Sequence, residues 1–98
     1  MATDATTTKT PSLAPSSNPV LDQIPFVTTG WEWKPTRTGD YAADCAAGRH
    51  AAESLIAVIQ QTDNPVLFGT VMRAIIAAGR YDAVEIGFCT VIGIELAR

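Results

Sequence analysis

Asp82-Ala83-Val84-Glu85-Ile86-Gly87-Phe88-Cys89-Thr90-Val91-Ile92-Gly93-Ile94-Glu95-Leu96 decides the fold of this chain, because residues 84–96 read in two ways. Val84, Ile86, Phe88, Ile92, Ile94 and Leu96 fall on even positions, broken by Thr90 alone, while Glu85, Gly87, Cys89, Val91, Gly93 and Glu95 hold the odd ones. That alternation is the mark of a half-buried strand. Two glycines and several β-branched residues also disfavour a helix. Against the strand, Asp82 and Glu85 have the spacing of a capping box, with Asp in place of Ser or Thr. The stretch is also long for a strand, and Phe26–Trp33 is the sole candidate to pair with it. The capping box favours a helix over about Ala83–Ala97, with an α+β fold using 84–96 as a strand as the alternative.

Upstream, the punctuation is helical. Asp40 suits the N-cap of a helix over Tyr41–Gln61, rich in alanine, the best helix former. Asp63-Asn64-Pro65 ends it and opens the next, with Asn64 able to cap free amides and Pro65 fitted to a first turn. The second helix, Val66–Ala78, stops at Gly79, which takes a left-handed conformation at no steric cost. Residues 39–98 thus predict a mainly α fold, a compact helical domain of about three helices.

Residues 1–38 form a separate arm in this reading. Every proline except Pro65 lies there, and its opening stretch mixes Thr, Ser and Asn with few large apolar groups. Such a composition cannot build a core. The arm carries an aromatic anchor at 26–33, including Phe26, Trp31 and Trp33. In an extended backbone, residues two apart point the same way, which would turn both indoles toward one surface.

The net charge of −3 falls entirely on the helical region, where Arg49, Arg73, Arg80 and Arg98 are outnumbered by acids. Phosphate neutralisation drives nucleic-acid binding, so nucleic acid is not an expected partner. A membrane span needs roughly 20 apolar residues in a row. Arg73, Arg80, Asp82, Glu85 and Glu95 interrupt every candidate window. The N-terminus has no basic region followed by an apolar one, so it does not read as a signal peptide. Cys45 and Cys89 are too few for the disulfide framework of a small secreted domain. Both are expected reduced and buried, in a cytoplasmic protein.

Chemistry-bearing patterns are sparse. His50 and Glu53 lie on neighbouring positions of one helix face, but a di-metal bundle site uses Glu-x-x-His twice, and here the order is reversed and single. Cys45 and His50 diverge by about 140° round the helix axis. Ser54 follows His50 by one turn, without any loop suited to an oxyanion hole. The acid pairs Asp40/Asp44 and Asp82/Glu85 sit where helices begin and complement the dipole. No catalytic residue, metal ligand or cofactor site is predicted. A helix-turn-helix around Gly79 has the right outline, yet its recognition helix would open on Asp82 and Glu85.

What stands out is apolar excess. The first helix carries a stripe of alanines with Cys45 and Gly48, which lets another backbone approach closely. The second has only Thr70 and Arg73 as polar side chains and calls for cover on every side. A core of this size is marginal on its own. The resulting expectation is a non-catalytic interaction or structural protein, self-associating or docking as a subunit of a larger assembly. Phe26, Trp31, Trp33, Phe68, Met72, Ile75 and Phe88 are its expected partner-binding residues. A small helix-turn-helix regulator is the alternative, and a metal carrier or enzyme using His50 and Glu53 a distant third.

Overall fold

A computed structural model describes residues 23–98 of the chain. Three helices follow one another: α1 (Tyr41–Thr62), α2 (Val66–Ala78) and α3 (Ala83–Leu96). No named strand occurs among the described residues. The Thr/Ser/Pro stretch of the expected arm, up to residue 22, lies outside them.

Residues 84–96 are helical. A capping box joins Asp82 and Glu85 at the start of α3, the Asp82 N–H donating to the Glu85 carboxylate at 2.8 Å. Burial along α3 follows Val84, Glu85, Gly87, Phe88 and Val91, a helical spacing, while Ile94 and Leu96 of the apparent alternation stand exposed. The strand reading also lacks a partner. Residues 26–34 close on themselves: Val27 bridges Trp33, and the Lys34 N–H donates to the Phe26 carbonyl at 2.8 Å.

Two glycines explain how α3 packs. A methyl group built on Gly48 of α1 would lie 1.8 Å from the Val84 carbonyl oxygen, and one built on Gly87 would lie 2.0 Å from that of Cys45. The two backbones therefore touch where side chains are missing on both helices. Gly87 costs helix propensity locally but permits the close crossing that buries Ala51, Ala52, Leu55, Val84 and Phe88 completely. The α1/α3 pair is the dominant contact of the fold, and α2 leans more lightly on α1.

The helix ends behave largely as their residues dictate. Asp40 accepts from the Ala43 N–H at 3.2 Å, and Gly79 takes φ +71° after α2. Asn64 differs from expectation. No side chain caps α2; Pro65 occupies the N-cap, and the Asn64 backbone carbonyl accepts from the Leu67 N–H at 3.2 Å.

The expected boundary at residue 38 does not divide the core. Ile24, Val27 and Trp33 are buried in the same cluster as Leu55, Val71 and Phe88. The segment reaches it by a tight turn rather than an extended run. The Trp31 N–H donates to the Thr28 carbonyl at 2.9 Å, and Trp31 itself sits at φ +59°. The two indoles therefore diverge: Trp33 enters the core and Trp31 rests on its rim.

Candidate functional site

Polar side chains converge where residues 33–38 meet the starts of α1 and α3. Glu85 is fully buried, and both its oxygens are engaged. Oε1 accepts from Arg37 Nη1 at 2.9 Å and from the Asp82 N–H, while Oε2 accepts from Arg37 Nη2 and Trp33 Nε1, each at 2.7 Å. The fork-to-fork Arg37–Glu85 pair is the strong, geometrically specific form of an ion pair. Trp33 then packs edge-on against Phe88 at 5.4 Å and Phe26 at 5.8 Å. One carboxylate thus ties the N-terminal segment to α3 through both a charge and an indole.

Burial alone would push the Glu85 carboxyl up, but the hydrogen bonds from Arg37, Trp33 and the Asp82 amide outweigh it and hold the group at about 2. A carboxylate this acidic with its acceptor positions filled is a poor proton acceptor. The cluster is a structural clasp rather than a general base. Nearby, Asp44 fastens the same segment to α1. It is buried and accepts from the Thr38 hydroxyl at 2.7 Å and from the Thr38 and Gly39 amides, which keep it below the usual carboxylate range.

His50 and Glu53 both lie exposed on α1, and no group of three or more His, Cys, Asp or Glu side chains suited to a metal is gathered among the described residues. Cys45 is buried as expected, whereas Cys89 is only half-buried; neither is in a disulfide. The helix-turn-helix outline survives as α2, Gly79 and α3, but the first turn of α3 is closed by the clasp. A recognition helix would present that turn to a groove.

The residues expected to bind a partner divide into two sets. Trp33, Ile75 and Phe88 belong to the chain's own core, at 3%, 6% and 0% exposure, and offer almost no surface. Phe26 and Trp31 are half-buried against that core, where Trp31 lines a groove with Ala74 and Ala77. Phe68 is exposed, and Met72 is half-buried beside it. With Ile76, 73% exposed, they form a stripe at i, i+4 and i+8 along α2, outside its buried residues Leu67, Val71, Ala74 and Ile75. Beside the stripe runs a mainly apolar groove of about 350 Å³ lined by Met72, Ile75, Ile76, Tyr81 and Cys89, with Arg80 also among its lining residues. Among the described residues, the full cover expected for α2 is therefore incomplete.

Reading the residues alone missed the clasp. Glu85 was legible as a capping residue, but nothing local tells that Arg37, 48 positions away, is its partner. The available signal was a lone arginine closely following two tryptophans. Comparison of the chain with models of known protein families, with curated proteins and with solved structures finds no match in any of the three.

Proposed function

We propose that this chain is a non-catalytic interaction protein, a small helical unit that self-associates or docks in a larger assembly through the outer face of α2. The observation that carries this reading is the Phe68–Met72–Ile76 stripe beside the buried residues of α2, with Phe68 and Ile76 exposed and Met72 half-buried against the core. Contiguous exposed apolar surface on a small protein marks an interaction site more often than single scattered residues do. The N-terminal segment contributes indirectly: Trp33 and Arg37 hold the helices that present the face. A cytoplasmic location fits two cysteines that are not in a disulfide. No helix of the described residues is long and apolar enough to cross a membrane.

Replacing Ile76 by Asp tests the assignment. Light scattering and binding of an apolar fluorescent dye are compared before and after the change. The variant is expected to keep its helical content and lose the association or the dye. Unchanged behaviour on both counts removes α2 as the docking face.

A further inference from the structure

We infer that α2 is a separately opening element, which comes away from the core as one unit while residues 24–38, α1 and α3 stay joined. Opening concerns the inner face of α2 and holds whatever covers the outer one. The course of the polar ties through the fold points to this. Glu85 of α3 holds Trp33 and Arg37, and Arg37 also meets Asp82 at 3.8 Å. Asp44 of α1 holds Thr38 and Gly39. Gly48 and Gly87 lock the α1 and α3 backbones against each other. All of these bypass α2. Among the described residues, no side-chain hydrogen bond or ion pair joins α2 to another element, and the Thr70 hydroxyl donates at 3.2 Å to the Val66 carbonyl of its own helix. Apolar burial therefore holds α2 by itself, chiefly that of Leu67, Val71, Ala74 and Ile75.

The helix is also weak in its own right. It has 13 residues, and isolated helices shorter than about 12–15 are marginal in water. Val66, Thr70, Val71, Ile75 and Ile76 are β-branched and Gly69 lies in the interior, all of which lower helix propensity. No side chain caps its start, no acid sits in its first turn and no base in its last, so its dipole is uncompensated. Left-handed residues bound it, Asp63 at φ +52° and Gly79 at φ +71°, and neither neighbouring helix runs on into it. Its packing on α1 is far lighter than that of α3. Elements with light packing and few ties open at a free energy below that of the whole fold. Opening turns Leu67, Val71 and Ile75 from core into surface.

Native-state hydrogen exchange of the full chain, followed amide by amide in water and in urea below the unfolding transition, tests this. The amides of Thr70–Ala78 are expected to exchange together, roughly tenfold or more faster than those of Leu55, Val58, Phe88 and Val91, and with a shallower urea dependence. One common rate and slope for all of them overturns the inference, since α2 would then open only with the whole fold. Rates along α2 that differ from amide to amide without urea dependence mean fraying and overturn it too. Gly93→Ala supplies a second readout, because its new methyl meets nothing within 4 Å and strengthens α3 alone. It is expected to slow exchange in α1 and α3 several-fold and leave that of α2 unmoved, whereas equal slowing in all three helices contradicts a separate opening.

Discussion

The α1/α3 crossing and the outer face of α2 are built from similar residues toward opposite ends. At the crossing, glycines bring backbones into contact, and a buried ion pair and an indole seal its open end. On α2, larger side chains in a regular stripe remain in view of solvent. The difference teaches that apolar content alone does not locate a core. Burial follows where the backbones can meet, and this chain meets through its smallest residues.

The sharpest way to break the comparison is to close the crossing. Gly48→Ala or Gly87→Ala places a methyl group against a fixed carbonyl. Each is expected to cost on the order of 3 kcal/mol, reversing the ~1 kcal/mol that alanine normally gains over glycine in a helix. Gly93→Ala, also in α3 but with nothing within 4 Å of the new methyl, should be neutral or stabilising. Urea unfolding of the three variants reads the contrast directly.

Removing the charge at the clasp comes next. Glu85→Gln keeps the shape but leaves Arg37 and Trp33 Nε1 with a weaker acceptor. A loss of about 2–3 kcal/mol is expected, reduced from that of a fully buried pair because Arg37 retains some access to water. Loosening of the segment should shift the tryptophan emission toward longer wavelength. Acid acts on the same group. Its folded-state pKa of about 2 lies below the ordinary value of 4.5, so its contribution is complete above pH 4.5 and disappears as the pH falls toward 2. Asp44 is depressed as well and works in the same direction. Wild-type stability should therefore decline through that window, and Glu85→Gln should flatten the decline.

Much of the helical order was legible in the chain. Asp40, Gly79 and the Asp82/Glu85 box act within a few residues of themselves, so their meaning is local. Residues 84–96 were harder because β-branched side chains two apart fit a strand and a helix with a long apolar stripe equally well. Gly87 there reads as a helix breaker, since its purpose depends on a second backbone far up the chain, at Cys45 of α1. The segment 24–37 was legible as something that sticks but not as a contributor to the chain's own core. A left-handed turn at Trp31, a residue that rarely adopts one, is not visible in composition. Of the expected contact residues, Phe68 and Met72 lie on the outer stripe, whereas Trp33 and Phe88 are held inward by the clasp and the crossing, and Ile75 lies on the inner face of α2. A periodic pattern marks the apolar faces of α2 but does not say which of them its own chain will cover.

The smallest expected effect on folding belongs to the outer stripe, and neighbouring isoleucines isolate it. Ile75 is 6% exposed and Ile76 is 73% exposed, one residue apart on the same helix. Circular dichroism of Ile75→Asp and Ile76→Asp, recorded side by side through thermal unfolding, tests the separation of core from docking face most directly. Ile76→Asp should keep the native helical signal and a cooperative transition, while Ile75→Asp, with a carboxylate forced into the core, should lose both. Equal loss of structure in the two variants would contradict the division on which the proposed interaction role stands.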